Sequence, residues 1–339
     1  MNREPVKIAL VGYGGMGKTH IDNIRTMDGA RVLDICTLNT DAQAEIEALG
    51  ATYYADYAQM LRESQADVVL VCTPTHLHTQ QVRQALLAGK HCICEKPLCL
   101  SAREAEALFD LARKQGVHLY VAHVLLFWEE YMALTELVRS GRYGRVLDME
   151  LHRLSEWPAW SSTSWLFERE KSGLIPFDLH IHDLYFLISL FGKPRIGHVQ
   201  HGGRAQAGYD EYLRVSYEYP DLTACVEASW YDAPLPFKMG FRAYFEEAVV
   251  CLNEDRLVAY ERGGGERRLV WHERKEALET SINVSPTSAF LHEMEHFVDC
   301  VARGVPSDVV VPEQVIWTME TLEELTARMD ANDGGGADH

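Results

Sequence analysis

The sequence predicts an α/β chain: an N-terminal Rossmann domain with a doubly wound parallel sheet over residues 1–123, then an α+β domain over 124–329 with a large, mostly antiparallel open sheet, then a disordered tail over 330–339. Three observations carry this. Short β-branched runs alternate with helical patterns as far as residue 123. A G-x-G-x-x-G pattern stands between the first run and the first helix. Beyond residue 123 the rhythm changes to longer alternating runs joined by turn signals.

In order, VKIALVG (6–12) reads as a strand and Met16 to Met27 as a helix. RVLDICTL (31–38) and DAQAEIEAL (41–49) repeat the pair. ADVVLVCTP (66–74) is nearly all apolar, as a strand covered on both faces must be. A helix from Thr79 to Ala88 ends at Gly89, HCICE (91–95) is the next strand, and Ser101 with Glu104 forms a capping box for a helix running to Gln115. VHLYVAH (117–123) closes the series. In the second part, RVLDMELHRLS, DEYLRVSYEYP, TACVEASWYD, KMGFRAYFEEAVVCL and RLVAYE alternate as half-buried strands do, with helices expected at Trp128–Ser140, Pro176–Phe191 and Ser288–Arg303.

The bulk properties exclude several classes. At 339 residues, with 47% hydrophobic and 24% charged residues, the composition is globular. A net charge of −18 argues against a nucleic-acid partner, because phosphate backbones are bound by clustered Lys and Arg. It does not argue against a cofactor's pyrophosphate, which backbone N–H groups can hold. No uncharged segment is read as long enough to span a bilayer, and the N-terminus runs straight into a strand without a signal-peptide pattern, so no membrane partner and a cytoplasmic location are expected. The eight cysteines are then read as small buried residues rather than disulfides.

The glycine loop VGYGGMG supplies the candidate cofactor residues Gly12, Tyr13, Gly14, Gly15, Met16 and Gly17. Gly12 permits the tight turn, Gly14 leaves room for a pyrophosphate, and Gly17 lets the helix pack on the strand. An acid about 20 residues further on commonly binds the adenosine ribose. Thr37 stands there instead, with Asn39 and Asp41 beyond, which leaves NAD and NADP both open.

HCICEKPLCLS (91–101) permits two readings, a soft-metal site or the catalytic end of a strand. On a strand Cys92 and Cys94 face one way while His91 and Glu95 face the other, and no second C-x-x-C completes a zinc set, so no metal is expected. Lys96 falls at the carboxyl end of a parallel strand, where open α/β sheets bind ligands, and can donate to a substrate oxygen.

VGYGGMGKTHIDNI, VCTPTHLHTQQVRQALLAGKHCICEKPLCLSAREAEAL and SGLIPFDLHIHDLYFL together resemble the signatures of the Gfo/Idh/MocA oxidoreductases, along almost the whole chain. The resemblance implies a NAD(P)-dependent enzyme acting on a sugar, cyclitol or sugar derivative, and a homodimer or homotetramer formed through the open sheet. By position, Lys96 resembles the family's catalytic lysine, which holds the reacting hydroxyl and tunes the neighbouring base. Asp178 and His182 resemble its paired site residues, His182 as the base and Asp178 orienting it or the sugar. Thr73, Pro74, His76, His78 and Glu95 match the segments lining the nicotinamide side, and His123 a position beside the substrate. Two departures touch the substrate: His180 stands where Gly is usual, and Leu126 where Arg is frequent. His180 beside Asp178 and His182 also raises a metal reading, against which residues two apart on a helix diverge.

Two further stretches are ambiguous. His292, Glu293 and His296 spell H-E-x-x-H, the zincin pattern, but within a helix that matches the family's C-terminal one. WPAWSSTSWLFEREKSG (157–173) holds three Trp that either stack on a sugar or pack on the sheet, and Trp165 is the candidate substrate contact. The alternatives to a dehydrogenase or reductase are a glycosidase that uses NAD for transient oxidation and elimination, and a non-catalytic sensor, against which the intact Lys96, Asp178 and His182 speak.

Overall fold

A computed structural model describes residues 4–158, 164–204, 207–253, 256–269, 278–284 and 286–334. The chain divides into two compact units: residues 1–127 with 274–315, and residues 128–273 with 316–339. Residues 278–284 and 286–315, which the sequence reading places in the second domain with the rest of 124–329, fall in the first unit.

In the first unit β1 (Val6–Val11), α1 (Gly15–Ile24), β2 (Ala30–Cys36), α2 (Gln43–Ala48), β3 (Thr52–Tyr54), α3 (Tyr57–Glu63), β4 (Val68–Val71), α4 (Thr75–Leu87), β5 (His91–Glu95), α5 (Ala102–Gln115) and β6 (Leu119–Ala122) follow in order. The strands form one parallel sheet in the order β3-β2-β1-β4-β5-β6, a doubly wound Rossmann sheet whose direction of winding reverses between β1 and β4. β4 and β6 are buried at every residue, which is why they read as continuous apolar runs.

Several expected boundaries move. β2 ends at Cys36 rather than residue 38, because Thr37 Oγ1 accepts the Asn39 N–H (3.2 Å) and turns the chain. α4 starts at Thr75, directly after Pro74. Ser101 sits at the N-cap of α5, but its side chain makes no capping bond, and the Glu104 carboxylate accepts from Thr79 Oγ1 (3.3 Å); the expected capping box does not form.

The second unit holds α6 (Glu129–Ser140), β7 (Val146–Glu156), α7 (Arg169–Ser172), a π-helical turn (Pro176–His180), α8 (Ile181–Phe191), β8 (Arg195–Gly202), β9 (Tyr212–Glu218), β10 (Thr223–Tyr231), β11 (Lys238–Phe245), β12 (Ala248–Asn253), β13 (Arg256–Glu261) and β14 (Glu266–Arg268). Its sheet runs β14-β13-β12-β11-β7-β10-β9-β8, antiparallel except for the β7–β10 pair. The face bearing Met149, Leu151 and Arg153 is buried, and Tyr131 packs edge-on against both Phe186 of α8 and Phe241 of β11 (4.9 and 5.2 Å). The other face carries Arg242 paired with Asp148 and Glu150.

The helical stretch Arg169–Phe191 is long and apolar enough to cross a membrane by length and composition, which corrects the expectation that no segment is. Most of its apolar window is buried inside the unit, so it serves as a core helix.

α9 (Ala289–Arg303) lies in the first unit, and α10 (Pro312–Gly334) runs from the first unit into the second. α10 was not foreseen, and it keeps residues 330–334 helical where a disordered tail was expected; residues 335–339 lie outside the described ones.

Candidate active site

The glycine loop joins β1 to α1. Gly12 has φ +98°, and a Cβ there would lie 2.6 Å from the Cys72 carbonyl, so both its conformation and its closeness to the next strand's loop demand glycine. A Cβ on Gly14 would meet nothing within 4 Å, which is the open space a pyrophosphate needs. α1 begins here with no side-chain cap and no acid in its first turn, leaving its N–H groups and partial positive charge for an anion. These residues fit a dinucleotide. Gly15 is held to glycine by a neighbour that sequence reasoning missed: its Cβ would come within 2.8 Å of Ser281 O, in a segment anchored by the Ser281 N–H bond to Thr19 Oγ1 (3.0 Å). Met16 is half-buried and Gly17 lies against Gly12 O. Tyr13 is buried with its hydroxyl on Glu45 of α2 (2.9 Å); burial, then that carboxylate, pushes its pKa up.

The Lys96 corner lies at the carboxyl end of β5. Lys96 itself is half-buried. Its backbone N–H donates to Glu95 Oε2 (3.1 Å), and Glu95 Oε1 meets His20 Nε2 of α1 at 2.6 Å, both side chains being buried. On the other side, His78 of α4 reaches the Pro97 carbonyl through Nδ1 (2.8 Å) and the Thr73 carbonyl through Nε2 (2.7 Å). Buried between the two carbonyls, His78 ties the loop after β4 to the loop after β5; the neutral ring donates to one of them and only the protonated ring to both, and neither nitrogen faces a cofactor. Burial lowers its pKa despite the two carbonyls, which pull the other way. Thr73 and Pro74 are half-buried in that loop, with Thr73 Oγ1 bonded to Gln81, and His76 is exposed. His123 is buried just past β6; burial, then the charge of Lys96, lowers its pKa to about 3, so its imidazole is neutral. Cys92, Cys94 and Cys99 are buried, the last two donating from Sγ to the carbonyls of Glu95 (3.2 Å) and Ser101 (3.0 Å), and burial pushes the thiol pKa of Cys92 and Cys94 upward.

In the second unit, Asp178 lies in the π-helical turn and His182 one residue into α8, both half-buried. His180 between them points the other way: it is fully buried, its Nε2 is 2.7 Å from the Tyr217 hydroxyl of β9, and burial lowers its pKa to about 3. It is a core residue. Behind this helix Arg153 of β7 grips Asp183 through two bonds of 3.2 Å, both buried. Burial works against the Arg153 charge, and the Asp183 carboxylate outweighs it, with a smaller contribution from Asp178.

Trp165 is half-buried on a short 3-10 turn (Ser164–Phe167). Residues 159–163 of the same stretch, Trp160 among them, lie outside the described ones. Trp157 packs on Phe167 (5.4 Å), which also meets Tyr209 (5.3 Å) and Trp230 (6.0 Å), so that Trp serves the sheet. In the H-E-x-x-H stretch His296 Nε2 is bound to Ser307 Oγ (2.8 Å) and Glu293 has no exposed surface. Among the described residues no group of three or more His, Cys, Asp or Glu is placed to hold a metal ion.

A family model described as an oxidoreductase family with an NAD-binding Rossmann fold matches residues 6–123, and one described as the GFO/IDH/MocA C-terminal domain matches residues 131–250. The chain belongs to the Gfo/Idh/MocA family. An uncharacterised oxidoreductase of Streptococcus pneumoniae is 30% identical over 223 residues, 63% of this chain and 59% of that protein. Myo-inositol 2-dehydrogenase of Thermotoga maritima is 29% identical over 190 residues, 56% of this chain and 55% of that one. The chain thus aligns with little more than half the length of these relatives. In fold this Gfo/Idh/MocA member is similar to levoglucosan dehydrogenase in complex with NADH and L-sorbose (TM-score 0.81, 20% identity, 96% of this chain and 98% of that one). It is similar also to myo-inositol 2-dehydrogenase of Lactobacillus plantarum (TM-score 0.81, 18% identity, 97% and 98%). Residues 6–123 are therefore the family's NAD-binding Rossmann domain, taking NAD or NADP.

Proposed function

We propose that this chain is a dehydrogenase or reductase that moves hydride between a nicotinamide dinucleotide and a CH–OH carbon of a sugar, cyclitol or sugar derivative. One observation carries the reading. Lys96 stands at the carboxyl end of β5 with its backbone gripped from both sides, by Glu95 before it and through the Pro97 carbonyl after it, in the same unit as an open glycine loop. A group that only had to be soluble would need no such fixing; a catalytic donor does, because misplacement is costly in rate.

A bound nicotinamide would supply or accept the hydride. Lys96 would donate to the substrate oxygen and stabilise negative charge developing there. His182 would take the hydroxyl proton, work that suits an imidazole because it titrates near neutrality, and Asp178 would orient it or the sugar. Neutral His123 would offer the substrate a hydrogen bond without a competing cation beside Lys96. Thr73, Pro74, His76 and Glu95 would border the nicotinamide side, and Trp165 the sugar. Myo-inositol and levoglucosan, the compounds named for two relatives, lead the panel to be tried. We also infer that copies assemble through the outer face of the second unit's sheet and that the protein works in the cytoplasm.

Lys96→Ala should leave NADH binding, read by fluorescence, within about twofold while lowering turnover on the order of a thousandfold. Full turnover in that variant would defeat the reading. Turnover without net reduced nicotinamide would instead favour the glycosidase that oxidises transiently.

A further inference from the structure

We propose that the dinucleotide site takes NAD(H) in preference to NADP(H), and that the turn over residues 37–41, together with Glu45, decides the choice. The inference rests on the dinucleotide reading above and deepens it. The Gly12 N–H donates to the Cys36 carbonyl (2.9 Å), so the glycine loop and the end of β2 are joined, and Thr37 is the next residue along. In a doubly wound sheet the adenosine ribose falls there. NADP differs from NAD at that point by one phosphate monoester, carrying about −1.5 to −2 charges at neutral pH. Such a group needs cations or unspent N–H donors.

Three N–H groups at the turn are already engaged within it. The Asn39 N–H goes to Thr37 Oγ1 (3.2 Å), the Asp41 N–H to Asn39 Oδ1 (3.1 Å), and the Ala42 N–H to the Asn39 carbonyl (3.3 Å). Charge is equally one-sided. Between Arg31 and Arg62 the sequence has no Lys or Arg and five acids: Asp34, Asp41, Glu45, Glu47 and Asp56. Asp34 is buried on the Ser64 hydroxyl, and the other four are exposed.

The cation on the glycine helix is already engaged. Lys18 Nζ lies 2.9 and 3.1 Å from the two oxygens of Glu45, the same carboxylate that takes the Tyr13 hydroxyl. Those two hydrogen bonds, Lys18 first, hold Glu45 below the usual carboxylate range, so it stays charged. Arg25 also acts on Tyr13 from the end of α1, and Asp22 opposes it there. A ribose hydroxyl suits this setting, since it can donate to a carboxylate or to a threonine oxygen. A phosphate, which only accepts, would meet exposed acids and a lysine already paired with one of them.

The test is a fluorescence titration of the intact wild-type protein with NADH and with NADPH, at about 0.01 M and about 1 M salt, where the screening length falls from about 30 to about 3 Å. NADH should bind at least about tenfold more tightly at low salt, and the gap should narrow at high salt as the repulsion is screened. Leu38→Arg, which adds a cation to the same turn, and Glu45→Gln, which frees Lys18, should each tighten NADPH by about tenfold. NADPH binding as tightly as NADH, or a preference for NADH that widens with salt, would overturn the inference while leaving the dinucleotide reading intact. If neither dinucleotide binds, that reading falls and this one with it.

Discussion

Glu293 of α9 has no exposed surface, and neither carboxylate oxygen has a hydrogen-bond partner among the described residues. Burial first, then the charge of Glu95, pushes its pKa well above the usual carboxylate range, so the folded protein holds it as a neutral acid. An unfolded chain would ionise it near pH 4.3. The stability it brings is therefore complete below about pH 4.3 and erodes as pH rises toward the folded pKa, by about 1.4 kcal/mol per pH unit. Glu293→Gln should lack that slope and be the more stable protein at pH 8, with the difference closing near pH 4, as read by urea unfolding across pH. Identical slopes in the two proteins would refute the neutral acid. The sequence showed this residue only inside a misleading zincin pattern, because burial is a property of what surrounds α9 and not of the five letters. His78 is a similar case. The imidazole was visible, but its clamp between two backbone carbonyls belongs to loops brought together by the parallel sheet.

At the scale of elements, the π-helical turn shows how Asp178 and His182 can remain half-exposed while His180 goes into the core. The spacing alone predicted that divergence, since residues two apart cannot share a helical face. What the spacing did not show is the Arg153–Asp183 pair that ties α8 to β7. Arg153→Met should cost about 3–5 kcal/mol, because it leaves the Asp183 charge buried alone, whereas Arg153→Met combined with Asp183→Leu should recover most of that loss. Chemical denaturation of the two variants compares the outcomes, and a double variant no better than the single one would rule out an electrostatic role for the pair. Most strands and helices were legible because their apolar residues follow one period. β3 and α3 were not, being three and seven residues long and partly exposed; nor was β8, and the run KMGFRAYFEEAVVCL is the β11–β12 hairpin. α10 was legible in principle: Val315, Met319, Leu322, Leu325 and Met329 recur at helical spacing and are buried, but polar residues crowd between them.

For the whole molecule, the formal charge of −18 and the outer sheet face set the expectations. That face presents Tyr244 (46% exposed) and Tyr260 (44% exposed) around the Arg242 pairs, aromatic and arginine chemistry suited to burial between copies. Light scattering should report a dimer or tetramer, and Tyr244→Glu with Tyr260→Glu should shift it toward monomer; a monomeric wild type would end that expectation. The first unit has another property, its discontinuity. His20 meets Phe290 edge-on (5.9 Å) and Gly29 comes up to Val298, so α9 lies along α1 although more than 260 residues of chain separate them. A ribosome making this protein therefore releases the complete sheet of the Rossmann unit long before it releases the helix that covers α1. The nascent domain must wait, with part of its apolar surface bare, through the synthesis of nearly all of its neighbour.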